Sequence, residues 1–233
     1  MNSLDILSGG AAHGLVGSLA AKFKALTGFD IGGEFGAVGA MADKLRKGTS
    51  TDIVILTAAL VARLAEEKLV NPASISDVGL VETALAVRAG DPRVNAPDAT
   101  ALRAAFLAAD AIFVPDTKTS TAGIHVAKVL EQLGIADKVA DRLKIYPNGA
   151  TAMRHMAESK AARPIGCTQS TEIISTEGVV LSGSLPKGCD LATMYTAGIT
   201  TQAAHAPQAQ ALIELLTSAD RQSLRKAAGF LDR

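Results

Sequence analysis

Residues 4–56 read LDILSGGAAHGLVGSLAAKFKALTGFDIGGEFGAVGAMADKLRKGTSTDIVIL, and the alternation inside this stretch decides the fold. Residues 4–7 are a short apolar-rich run that stops at Ser8-Gly9-Gly10, the pattern of a strand running into a small-residue loop. Leu15, Leu19, Phe23 and Leu26 then recur at helical spacing until Thr27-Gly28 ends the pattern. Residues 31–35 read as the next strand, and 38–47 as a helix closed by Gly48. The β-branched run 53–56 reads as a fully buried strand, followed by a helix over 58–67.

The same alternation continues outward. A long strand is expected over 78–88, ending at Gly90-Asp91-Pro92, and a helix over 99–109. Next come a strand over 111–114 and a helix over 122–133, with Val126, Val129, Leu130 and Leu133 on one face. Ile145 marks a strand, 150–159 a helix, and 165–168, 179–181 and 194–199 further strands. Two helices end the chain, the first lined by Ala209, Leu212, Ile213 and Leu216. Strands alternating with helices imply an α/β class with parallel pairing and right-handed crossovers. The 233 residues, 48% of them apolar, suffice for two lobes of roughly 100 residues each. The expected division is 1–82 plus 200–233 against 83–199, with the long strands near 78–88 and 194–200 crossing between lobes.

Composition narrows the function. Lys plus Arg and Asp plus Glu both number 23, so the basic excess that nucleic acid or a membrane surface would need is missing. Aromatics are 3% and Trp is absent, which disfavours a sugar site built on stacked rings. No apolar run approaches the roughly 20 residues that span a bilayer. The first residues, MNSLDILSGG, carry neither a basic n-region nor an apolar h-region. The expected location is therefore periplasmic if a secretion signal has been removed, and cytoplasmic if Met1 is the natural start. Cys167 and Cys189 read as free thiols in preference to one disulfide.

In an open α/β sheet, ligands bind beyond the carboxyl ends of strands, where helix N-termini present unpaired N–H groups and a positive dipole end. Five junctions have this character: Ser8-Gly9-Gly10-Ala11, Phe35-Gly36-Ala37-Val38-Gly39, Ser120-Thr121-Ala122-Gly123, Asn148-Gly149-Ala150-Thr151 and Cys167-Thr168-Gln169-Ser170. Any one is an ordinary turn or helix start. Together they point to a cradle for a small anion. Dinucleotide and Walker A patterns, a nucleophile elbow and metal-ligand spacing are all missing, and His13, His125, His155 and His205 are scattered, so no cofactor is expected.

The order of short motifs resembles the molybdate-binding family of extracytoplasmic substrate-binding proteins. Phe23-Lys24 with Thr27-Gly28, Glu34-Phe35-Gly36, Met41-Ala42 with Lys47-Gly48, and Thr51-Asp52-Ile53-Val54-Ile55 carry the first half. Asp116 with Thr121-Ala122-Gly123-Ile124, Leu130 with Leu133-Gly134, Gly166-Cys167-Thr168-Gln169 and Ser218-Ala219-Asp220 through Gly229-Phe230 carry the second. The resemblance implies a two-lobed, type 2 periplasmic-binding-protein fold, each lobe a doubly wound, mostly parallel sheet, with a two-strand hinge and a ligand cleft between lobes. It also implies an ABC-transporter permease as partner.

The family's serine hydroxyls on the first two loops and tyrosine on the last would fall near Ala11, Ala37 or Val38, and Gln169, so those donors are gone. Each charged hydrogen bond lost leaves an oxyanion under-coordinated by roughly 1–3 kcal/mol. A carboxylate is therefore expected ahead of molybdate, recognised by backbone N–H groups and by Ser120, Thr121, Asn148, Thr168 and Gln169. Aconitate isomerases resemble the same binding proteins, so cis/trans isomerisation of a small unsaturated polycarboxylate is the alternative. His13, Glu34 and Lys118 would then move protons, Arg154 and His125 standing further from the chemistry. A ligand-sensing module ranks behind both.

Overall fold

The computed structural model describes residues 2–231, so Met1, Asp232 and Arg233, including the Met1 start considered above, lie outside the described residues. The chain divides into two compact units, Met1–Val81 with Thr193–Arg233, and Glu82–Ala192.

Unit 1 contains β1 (Ser3–Gly9), α1 (His13–Thr27), β2 (Asp30–Gly36), α2 (Val38–Arg46), β3 (Ile53–Thr57), α3 (Ala58–Glu66) and the start of β4 (Ser76–Arg88). Strands β2 and β3 flank β1 in parallel. The chain returns as an antiparallel partner of β3. Leu15, Val16, Leu19 and Phe23 of α1 are the residues its 3.6 period turns inward, and Phe23 is fully buried beside Leu4, Ile6 and Val54. The helix stops at Gly28, whose φ of 77° is the left-handed end that glycine takes without strain.

Unit 2 holds α4 (Ala99–Ala108), β5 (Ala111–Pro115), α5 (Thr121–Gln132), α6 (Ala136–Val139), β6 (Leu143–Tyr146), α7 (Gly149–Ala157), β7 (Pro164–Gln169), α8 (Ser170–Ile174) and β8 (Val179–Ser184). Its sheet runs β6-β5-β7-β4-β8, with β6 and β7 parallel to β5, and β4 antiparallel to both β7 and β8. Odd residues of β7, Ile165 and Cys167, face a core with Leu85, Leu102, Phe106, Val126 and Val129. On the other face, Met153 and Met156 of α7 pack with Ala84, Ala86 and Phe113. Both cysteines are free and buried.

The return strand β9 (Ala192–Ile199) is followed by α9 (Ala206–Thr217) and α10 (Gln222–Ala227). The sequence reading placed the return to the first lobe at 199/200. Pairing of Tyr195–Ile199 with β3 puts residues 193–199 in unit 1, because a strand belongs with the ladder that satisfies its backbone. No helix among the described residues is long and apolar enough to cross a membrane.

Candidate functional site

Within unit 2, three helix tips meet one end of the sheet. Because β5, β6 and β7 are parallel, their carboxyl ends, Pro115, Tyr146 and Gln169, lie at the same edge, and α5, α7 and α8 begin just beyond them. These are three of the five junctions marked by the sequence.

The α7 tip is already occupied, and by the protein itself. Asn148 accepts a 2.8 Å hydrogen bond from the Thr151 N–H, a regular N-terminal cap. The Glu172 carboxylate, 4% exposed, accepts a 2.6 Å bond from Thr168 Oγ1. It also faces the backbone N–H groups of Ala150, Gln169 and Gly149. A side chain on Gly149 would collide with the Glu172 carboxyl and Thr168 Oγ1, so the glycine leaves the room the carboxylate fills. Burial pushes the Glu172 pKa up, and the hydroxyl and three amides recover only part of that cost. The groups the sequence reading offered to a ligand at Gly149, Ala150 and Thr168, together with the backbone N–H of Gln169, are thus engaged by a residue that reading passed over. Glu172 reads in sequence as a first-turn acid of its own short helix. Nothing local shows that it reaches back to a different one.

The α5 tip is open. Its first helical bond runs from the Ile124 N–H to the Ser120 carbonyl at 2.9 Å, leaving the Thr121, Ala122 and Gly123 amides outside the ladder. The Ser120 side chain makes no capping bond. The preceding loop is organised by Asp116, whose Oδ1 accepts from the Lys118 and Thr119 amides at 2.9 and 2.7 Å and from the Thr119 hydroxyl at 2.8 Å. These bonds, the Lys118 amide foremost, hold the Asp116 carboxyl below the usual carboxylate range. A side chain on Gly123 would strike the Asp116 and Pro115 carbonyls, so α5 sits directly on this loop. Lys118 itself is exposed.

Unit 2 also buries polar atoms with no partner among the described residues: Gln169 Nε2 and Oε1, Thr83 Oγ1 and Thr171 Oγ1. Their residues are 2%, 1% and 3% exposed. Thr83 stands opposite Gln169 in the β4–β7 ladder, and by strand alternation both lie on the face of Leu85 and Cys167, against which α5 packs. Buried amide and hydroxyl groups without partners are rare, and each needs a reason. Gln169 was marked by the sequence, whereas Thr83 and Thr171 were not, since a threonine in a strand or a helix start carries no distinguishing signal.

In unit 1 the marked junctions are more closed. Gly9 and Gly36 are register partners, so the two tips adjoin. Ser8, fully buried, donates to the Gly9 carbonyl at 3.0 Å, and a side chain on Gly9 would meet Val38 Cγ1 and Tyr195 Cε1. Gly10, Ala11, Gly36, Ala37 and Val38 are buried, and the N-terminal ends of α2 and α3 lack side-chain caps. The sequence reading left out the α3 tip at Thr57-Ala58. His13 opens α1 with its ring edge-on to Phe35, centroids 4.6 Å apart, and Glu34 is exposed and ion-paired with Lys44. In unit 2, His125 Nε2 lies 2.7 Å from the Cys189 carbonyl, and Arg154 donates to Thr151 Oγ1 at 3.0 Å.

A cavity of about 280 Å³ opens at the other end of the unit 2 sheet, lined by Val87, Asp91, Ala105, Arg163, Pro164 and Ile165. Its charges are spent, Asp91 on Arg88 at 2.9 Å and Arg163 on Asp110 at 3.1 Å. No group of three or more His, Cys, Asp or Glu side chains among the described residues could hold a metal ion.

Known proteins share both the sequence pattern and the fold. The sequence profile of the bacterial extracellular solute-binding proteins matches residues 4–231. An aconitate isomerase from a Pseudomonas species is 23% identical over 231 residues, covering 94% of this chain and 84% of that protein. The periplasmic molybdate-binding protein of Azotobacter vinelandii superposes with a TM-score of 0.82 at 18% identity over 99% of both chains. The sulfate-binding protein of Mycobacterium tuberculosis does so at 0.71 and 18%, over 99% of this chain and 86% of its own. At these identities the structural likeness is one of fold.

Proposed function

The chain belongs to the bacterial extracellular solute-binding protein family, and from that premise we propose that it binds a small carboxylate through the α5 tip of unit 2. The observation that carries this reading is the partnerless buried pair Gln169 and Thr83 on the sheet face that α5 packs against, together with the uncapped N-terminus of that helix. A protein that buries such groups gives up stability unless something else completes their hydrogen bonds, as a bound ligand does. The helix tip supplies amides and a positive dipole end for an anion.

The loops that carry hydroxyls in molybdate binders present Ala11, Ala37 and Val38, and the last loop presents Gln169, which favours a carboxylate over a tetrahedral metal oxyanion. The unit 1 tips at Ser8–Ala11 and Gly36–Val38 are proposed as further backbone donors to the same class of anion. Delivery to an ABC-transporter permease outside the cytoplasm follows from the family as part of the proposal.

Titration calorimetry against molybdate, sulfate, citrate, succinate and trans-aconitate tests the reading. Heat and saturation are expected with carboxylates. Tight molybdate binding without carboxylate binding would overturn it. A second reading, isomerisation of an unsaturated polycarboxylate, is favoured by the relation to the Pseudomonas aconitate isomerase. Its proton-transfer candidates are His13, Glu34 and Lys118, with Glu34 tied to Lys44. Incubation of cis- and trans-aconitate in D₂O, followed by NMR, tests it through interconversion and deuterium uptake.

A further inference from the structure

We infer that the ligand is a hydroxy- or amino-carboxylate: beside its anionic group it carries an O–H or N–H that donates to Gln169 Oε1. This deepens the carboxylate reading and rests on it. The Gln169 amide has both ends buried and unpartnered, an acceptor at Oε1 and two donors at Nε2. Assigning the oxygen and nitrogen the other way round changes nothing, because both atoms lack partners. The other groups of the proposed site divide the same way. The uncapped amides of Thr121 and Ala122 are donors only, and suit a carboxylate. The hydroxyls of Thr83 and Thr171 can donate and accept.

A ligand made only of acceptors, such as sulfate, molybdate or a plain dicarboxylate, satisfies Nε2, both hydroxyls and the helix tip. It leaves Oε1 facing another acceptor in a buried place. A ligand with a hydroxyl or amine on the carbon next to its carboxylate places a donor within one carbon of the anion, and completes the set. A site built around a ligand hydroxyl rejects the analogue lacking it far more strongly than an apolar pocket rejects a missing methylene.

The test pairs acids that differ by one hydroxyl, citrate against tricarballylate and malate against succinate, in calorimetry with the full chain and with Gln169→Met. In the native chain the hydroxylated member of a pair is expected to bind at least about tenfold more tightly. Gln169→Met should bring the ratio close to one, because both members of a pair then lose Nε2 and only the hydroxylated member loses the Oε1 acceptor. Gln169→Leu serves if the methionine variant does not melt cooperatively. Equal affinities within both pairs would overturn the hydroxyl inference and leave the carboxylate reading intact. Binding of molybdate or sulfate with none of the four acids would overturn both.

Discussion

Two helix tips lie at the same edge of the same sheet and have opposite fates. The α7 tip carries an Asn148 cap and the Glu172 carboxylate, while the α5 tip has neither, and on the sheet face that α5 covers the polar atoms of Gln169 and Thr83 lack partners. The contrast separates two uses of one physical device. A helix N-terminus attracts an anion whether the anion is covalently attached or arrives by diffusion. Where the chain supplies it, the tip becomes part of the framework. Where the chain supplies none, as at α5, the tip keeps its N–H groups free of a side-chain cap, and the proposed ligand is what would take them.

Both tips need a glycine, and removing them is the strongest way to break the comparison. Gly123→Ala would drive a methyl into the Asp116 and Pro115 carbonyls, which are backbone and cannot give way. A loss of about 3 kcal/mol is expected by urea unfolding. Gly149→Ala meets the Glu172 carboxyl and the Thr168 hydroxyl, which are side chains and can shift, so about 2 kcal/mol is expected.

The Glu172 carboxyl gives the α7 tip a pH signature opposite in sign to that of Asp116 in the loop before α5. Burial raises its folded pKa above the ordinary 4.5, so the folded chain holds this proton more tightly than the unfolded one. Its stabilising contribution is fully present below that ordinary value and is lost as pH rises through the folded value, with a slope of up to about 1.4 kcal/mol per pH unit. Urea midpoints of the native chain and Glu172→Gln, measured from pH 4 to 8, should therefore diverge, with the variant gaining relative stability as pH rises. Parallel profiles would remove Glu172 from this account.

At the α5 tip, Gln169→Met replaces unsatisfied polar atoms with an apolar chain of similar volume, and should raise the stability of the ligand-free protein by about 1 kcal/mol. The smallest contrast concerns the caps. Asn148→Ala should cost about 1 kcal/mol, whereas Ser120→Ala, whose hydroxyl makes no capping bond, should stay within about 0.5 kcal/mol. Thermal and urea melts of the pair decide it.

The elements were legible because each announces itself locally. Leu15, Leu19 and Phe23 keep helical spacing, Gly28 stops their helix, and 53–56 has the β-branched content of a buried strand. The junctions were legible for the same reason, as small residues between strand and helix. What fills them was not. Glu172 comes into play only when β7 and α7 are brought together, and Thr83 faces Gln169 only through antiparallel pairing of residues 86 positions apart in sequence. The return strand was legible at 194–199, but not which unit it joins, since alternation marks a strand without naming its partner.

The thiol of Cys167 sits two residues before Gln169 on the same face of β7, fully buried, with its pKa pushed up to about 12. It is inert toward electrophiles while β7 stays in the sheet, because the attacking thiolate is neither formed nor reachable. Alkylation at this sulfur therefore clocks the rate at which the strand beneath the orphaned amide comes loose. A compound that completes the amide's hydrogen bonds will slow that clock, so the sulfur reports occupancy for any compound, labelled or not.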